Sequence, residues 1–218
     1  MNILIPNDAV RCVVRGRHSH SVQEGSNETR TLTAEGVKLC GDVKADYCEL
    51  LDELAARFGV PRFACSEFPR SMLTCFLVTG ASQITRDSHL NLEASVKKSP
   101  APTGSPHADL YTHWKAEGLG IPEMLQRLAA DPSLFGDQPV AKALENAADF
   151  VKHAFPEACL VVAFDHEPAI SLYAAQCNAP TSYLGLEECQ AFVFFLDAHG
   201  DVISVQKFTP VATLADQA

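Results

Sequence analysis

Near the start of the chain an apolar run ends in an arginine and a histidine: Cys12-Val13-Val14-Arg15-Gly16-Arg17-His18-Ser19-His20-Ser21. A guanidinium beside an imidazole suits a tetrahedral anion. The arginine fork holds phosphate oxygens, and a neutral ring nitrogen can attack phosphorus. The run Cys12-Val13-Val14 predicts a buried strand, and Gly16 a tight turn that leaves Arg17 and His18 at its carboxyl end. In an open α/β sheet, that end is where ligands bind. Two later stretches repeat the layout. Phe63-Ala64-Cys65 precedes Ser66-Glu67-Phe68-Pro69-Arg70-Ser71-Met72-Leu73-Thr74-Cys75, and Val161-Val162-Ala163-Phe164 precedes Asp165-His166-Glu167-Pro168. Arg17 with His18, Arg70 and His166 therefore each follow a short apolar strand and stand at or before a helix start.

The elements that must position these residues can be traced along the chain. A strand near residues 10–16 leads into the Arg17-His18 loop. Thr33 is placed to cap a helix that runs to Phe58, where Gly59 and Pro61 stop it. Leu50, Leu51, Leu54 and Phe58 recur at helical spacing and mark its core face. Arg62 to Cys65 reads as a second strand, and Pro69 as the first turn of the next helix. Ile84 to Glu93 is a weaker strand or loop. Residues 97–109 have the Pro, Gly and Ser content of a linker. They open an insertion at about 96–137 that includes Tyr111, Trp114 and a short helix near Pro122–Ala130, and it is expected to lie over the mouth of the site. Helices are expected at Val140–Phe155 and Pro168–Cys177, a buried strand at Leu160–Phe164, and a hairpin from Ala191–Asp197 and Val202–Phe208. Strands alternating with helices imply a three-layer α/β/α sandwich with a mostly parallel central sheet and a C-terminal hairpin. All of residues 1–218 are read as one domain carrying that insertion.

Composition narrows the function classes. With 17 Lys and Arg against 27 Asp and Glu, the net charge is −10. Nucleic acid and anionic membrane both call for a basic surface, so neither is an expected partner. A few converging arginines can still make a positive pocket in an acidic protein. The eight cysteines contain no C-x-x-C and mostly sit in apolar runs, which favours reduced, buried thiols over disulfides or zinc. The N-terminus lacks a basic region followed by a long apolar one, so no signal peptide is expected and the predicted location is cytoplasmic. No metal and no cofactor are expected.

The ordered set of Arg17-His18, Arg70 and His166, with the stretch Asn27-Glu28-Thr29-Arg30-Thr31-Leu32-Thr33, resembles the histidine phosphatase (phosphoglycerate mutase-like) superfamily, and within it the phosphohistidine-phosphatase-like branch. The resemblance spans about residues 10–208. Relatives read R-H-G/A-x-S/T, then L-T-x-x-G, then S-x-x-x-R-A-x-x-T-A, then a late G/S-H. Here Ser19 replaces the Gly or Ala after the histidine, and Ser71 the Ala after the second arginine. The resemblance implies that His18 attacks phosphorus and becomes phosphohistidine. Arg17 and Arg70 would clamp the equatorial oxygens, and His166 would donate a further hydrogen bond. Arg30 and Ser21 become substrate-contacting candidates, with a solvated Arg30 equally open. The mutase signature, R-H-G-E-S-x-W-N with a following G-W-x-D, is missing, so hydrolysis is favoured over mutase-type phosphoryl transfer.

An alkoxide leaves poorly without a proton, so ester hydrolysis calls for an acid. Relatives place a Glu some twenty residues after the second arginine. Glu93, in Leu90-Asn91-Leu92-Glu93, is the best match, with Glu117 and Asp109 as rivals and a solvated surface Glu as the alternative. His18-Ser19-His20 invites a metal reading, but two histidines without carboxylate or thiol companions seldom suffice. Arg15, on the strand itself, is either a buried ion-pair partner or an edge residue. The expected activity is a metal-independent phosphatase. Its partner would be a phosphorylated small molecule or a phosphohistidine protein, with a homodimer left open. The alternative is a non-catalytic member of the same fold that binds a phosphorylated ligand.

Overall fold

A computed structural model describes residues 3–22, 24, 28–87, 90, 116–131, 138–167 and 169–214. Six strands form one mixed sheet: β1 (Arg11–Arg17), β2 (Arg62–Cys65), β3 (Thr85–Arg86), β4 (Leu160–Asp165), β5 (Ala191–Leu196) and β6 (Val202–Phe208). Their order is β3-β2-β4-β1-β5-β6. The pairs β1–β4, β2–β4 and β2–β3 are parallel, while β1–β5 and β5–β6 are antiparallel. This is the expected three-layer architecture. The continuous apolar runs of β4 and β5 are buried along their whole length, as a sheet covered on both faces requires.

One face carries α1 (Ala34–Phe58), α2 (Pro69–Thr79) and the short α6 (Val211–Leu214). The other carries α3 (Ile121–Ala130), α4 (Gln138–His153) and α5 (Ala169–Gln176). Thr33 caps α1 by accepting from the Gly36 amide, and Gly59 closes it at φ 82°. The α1 side buries Cys40, Val43, Tyr47, Leu50 and Leu54 against Val14, Val162 and Phe195. The opposite side packs Leu144, Ala147 and Phe150 of α4 against Val161, Ile170 and Phe194. Of the segment at 96–137, the described part is 116–131. There α3 packs on α5 and sends Met124, Leu125 and Leu128 into the core. The linker at 97–109, with Tyr111 and Trp114, lies outside the described residues.

Gly16 has a different role from the turn expected of it. It sits inside β1, paired with Phe164 of β4. A Cβ there would meet the Phe164 ring at 2.7 Å and the Tyr47 hydroxyl at 3.1 Å. The glycine makes room for two aromatic rings packed under the strand, and the chain turns only after Arg17.

Candidate active site

The ladder of the sheet continues past the strand ends and ties the loops together. The His18 amide donates to the Asp165 carbonyl at 3.1 Å, and the Ser66 amide to the Phe164 carbonyl at 3.1 Å. The Arg17 amide donates to the Gln190 carbonyl at 2.9 Å, and the Cys189 amide to the Arg17 carbonyl at 3.2 Å. The loops after β1, β2 and β4 and the one before β5 thus meet at one end of the sheet. The sites picked from sequence, 17–18, 70 and 166, all stand there.

His18 follows β1 directly. Its Nδ1 lies 2.7 Å from the carbonyl of Ser19, so Nδ1–H donates and Nε2 carries the free pair. Ser19 is fully buried and fixed at two points. Its amide donates to Thr74 Oγ1 at 3.0 Å, and its hydroxyl to the Gly36 carbonyl at 2.9 Å. A Cβ on Gly36 would come within 2.2 Å of the His20 carbonyl oxygen, so α1 presses directly on this loop. Burial pushes the His18 pKa down to about 4, helped by the charges of Arg70 and Arg17 and opposed by the Ser19 carbonyl. At neutral pH the ring is uncharged, with the Nε2 lone pair unprotonated.

Arg70 stands in the first turn of α2, one residue after Pro69, and is 2 % exposed. Its Nε donates to His18 Nε2 at 3.2 Å and its Nη2 to His166 Nδ1 at 3.4 Å. The guanidinium lies over the Phe68 ring, 4.8 Å from the centroid. The His18 and His166 rings meet edge to face at 4.9 Å. His166 is held from behind, where its Nε2 lies 2.8 Å from Ser66 Oγ, and Ser66 donates in turn to Ser71 Oγ at 2.9 Å. With Nδ1 accepting from Arg70, the relay runs from His166 Nε2–H to Ser66 and on to Ser71. The structure therefore joins His18, Arg70 and His166 in one hydrogen-bonded group.

Arg17, the last residue of β1, directly precedes His18 in the chain. Its Nη1 donates to the Leu186 carbonyl at 2.6 Å and its Nη2 to Glu188 Oε1 at 2.9 Å. Arg15, two residues back along β1 and so on the same face, is the buried ion-pair partner of Asp165. Arg15 Nε donates to Asp165 Oδ2 at 3.2 Å, and both side chains are essentially inaccessible. Burial raises the Asp165 carboxyl to about 6, with Arg15 pulling it back.

Ser21 forms an isolated bridge with Leu32, and Arg30 lies two residues before Leu32, on the hairpin-like return that follows the His18 loop. Glu117 is paired with Arg127 at 3.5 Å beside α3. Glu93 and Asp109 lie outside the described residues. Among the described residues no cluster of three or more His, Cys, Asp or Glu converges as a metal-ligand set. No helix among them is long and apolar enough to cross a membrane.

Sequence reasoning assigned no role to Ser66, Thr74, Phe68 or Glu188. For Thr74 a signal existed, because it stands four residues after Arg70 and so shares its side of the helix. Thr74 Oγ1 does bond back to the Arg70 carbonyl at 2.8 Å. Glu188 offered none, since it meets Arg17 from 171 residues away.

The sequence matches no known family profile and no curated protein. Solved structures do match. The protein histidine phosphatase SixA complexed with tungstate superposes with a TM-score of 0.52 at 14% identity, over 93% of this chain and 99% of that one. Phosphoserine phosphatase from Entamoeba histolytica, in complex with 3-phosphoglyceric acid, gives 0.54 at 14% identity over 91% and 98%. Phosphoglycerate mutase from Bacillus anthracis gives 0.58 at 15% identity over 95% and 97%. The fold of this chain is that of the phosphoglycerate mutase-like histidine phosphatases.

Proposed function

We propose that the chain is a metal-independent phosphatase that works through a phosphohistidine on His18. The observation that carries this reading is the pairing of His18 with Arg70. A neutral imidazole, fixed through Nδ1 on a backbone carbonyl, points Nε2 at a buried guanidinium 3.2 Å away. An entering phosphoryl group would take up the Arg70 donors that now rest on the two histidines. Its phosphorus would then stand in front of Nε2. The Nε2 pair forms the N–P bond as the P–O ester bond breaks, and the ester oxygen leaves with its electrons. Arg70 and Arg17 would offset the charge on the three equatorial oxygens, with His166 as the proposed donor of a further hydrogen bond once Arg70 leaves its Nδ1. Water then attacks phosphorus and gives a proton to the carboxylate that protonated the leaving oxygen, the N–P bond breaks, and His18 returns to its resting tautomer. The leaving oxygen needs a proton, for which Glu93 is the proposed donor. Glu93→Gln should slow alkyl phosphates far more than activated aryl phosphates, whose leaving groups need little help.

The fold is shared by phosphatases and mutases, so it supports phosphoryl chemistry without choosing a substrate. The deciding experiment is rapid acid-free quench with labelled substrate. Base-stable, acid-labile label on His18 is expected, together with loss of turnover by about four orders of magnitude in His18→Ala at unchanged circular dichroism. Label elsewhere, or turnover retained in the variant, would overturn the reading.

A further inference from the structure

The two clamp arginines are held in opposite ways. Arg70 rests its donors on the histidines at the floor of the site. Arg17 rests its Nη2 on a carboxylate, Glu188 Oε1, at 2.9 Å. The same Oε1 lies 3.6 Å from His20 Nδ1. Arg17, Glu188 and His20 keep 27%, 19% and 49% of their side-chain surface, so they form an open rim, whereas Arg70 is closed off. Among the described residues both contacts of this carboxylate use Oε1, which leaves Oε2 as an acceptor at the rim.

A carboxylate on the arginine that would clamp a dianion weakens that arginine's pull on phosphate. Once phosphate binds, the guanidinium lies between two anions, and the rim carries negative charge that Arg17 only partly offsets. A positive group on the substrate relieves both anions together, whereas a second negative group meets Glu188 unshielded. We propose that Glu188 sets substrate choice at this site. It favours phosphorylated compounds that carry an ammonium or similar protonated nitrogen close to the phosphoryl group, and it rejects those with a carboxylate there. The inference rests on the phosphatase reading given above. Like and unlike charges this close at a partly exposed rim differ enough in energy to give at least a tenfold preference.

Three ligands on a two-carbon scaffold test it: phosphoethanolamine, ethyl phosphate and 2-phosphoglycolate, which are cationic, neutral and anionic beyond the phosphate. Calorimetric Kd and steady-state kcat/KM are measured for each. The wild-type protein should favour phosphoethanolamine over phosphoglycolate by about tenfold or more, with ethyl phosphate between. In Glu188→Gln and in Glu188→Ala the ratio should fall below about threefold, chiefly because phosphoglycolate gains. Glu187→Gln removes the same charge from the neighbouring exposed residue and should keep the ratio. A wild-type preference for phosphoglycolate, a wild-type ratio near one, or a ratio that survives loss of the Glu188 carboxylate would each overturn the proposal. Absence of turnover on all three ligands would instead break the phosphatase reading, and the Kd ratio would still report on the rim.

Discussion

The two halves of the candidate site are built on different principles. The inner half, comprising His18, Arg70, His166 and Ser66, stands on strand ends and the first turn of a helix. Its members bond chiefly to one another, and Ser66, Arg70 and His166 are nearly inaccessible. The outer half, comprising Arg17, His20 and Glu188, joins the end of β1 and the turn after it to the loop before β5, and keeps its side chains partly in water. Charge is worth more in the first setting and is screened in the second. Rigid elements and low exposure suit bond making. A half-exposed loop suits discrimination, since residues there can change without disturbing the core.

That division can be tested by breaking the inner half and watching the outer. Arg70→Ala should lower kcat/KM about a hundredfold to a thousandfold, on alkyl and aryl phosphates alike, because its charge acts on the phosphoryl oxygens whatever the leaving group. A loss confined to one substrate class would place Arg70 on the leaving group instead. Ser66→Ala leaves His166 Nε2–H without its acceptor. It should cost about 1 kcal/mol, or roughly fivefold in turnover, while the Kd for vanadate changes less. Equal effects on both would make Ser66 a packing residue.

The third test concerns the burial of His18. Its folded pKa, about 4, lies below the ordinary 6.5. Between those values the unfolded chain binds the extra proton, so the His18 contribution to stability falls as pH drops through that window and is constant above it. The ring should therefore titrate near pH 4 by NMR, and the stability of wild type relative to His18→Asn should decline from pH 6.5 towards pH 4. An ordinary midpoint would show the inner half to be wet. The smallest expected effect is that of chelator. Dialysis against EDTA should leave turnover unchanged, and restoration by a divalent metal after loss would refute the metal-free mechanism.

Much of the inner half was legible because its signals are local. Thr33 before an apolar helical pattern, Pro69 after a short strand, and Arg17-His18 at the end of a buried run each act within a few residues. The misreading of Gly16 has the same origin. A glycine near a strand end looks like a turn until Phe164 and Tyr47 are packed beneath it. In the outer half Arg17 was legible beside His18, but its carboxylate partner was not. Glu188 is an acidic residue in a polar loop, and only the antiparallel pairing of β5 on β1 brings it to Arg17. Ser66 and His166 are 100 residues apart and meet only because β2 and β4 are neighbours.

The buried pair of Arg15 and Asp165 has a consequence for how the strands find their alignment. Arg15 faces the α4 side of the sheet, with its guanidinium near the Phe150 ring, and Asp165 faces the same side from β4. A slip of β4 by one residue would turn the carboxylate to the opposite face, among Tyr47 and Phe208. It would also strand a guanidinium in apolar surroundings. Leaving one member of such a pair without its partner costs about 3–5 kcal/mol, so a register that separates them is disfavoured. The correct register is the one in which the Asp165 carbonyl receives the His18 amide. The two charges thus work as a key and lock for strand alignment: a chain that has satisfied them has also set its two histidines side by side.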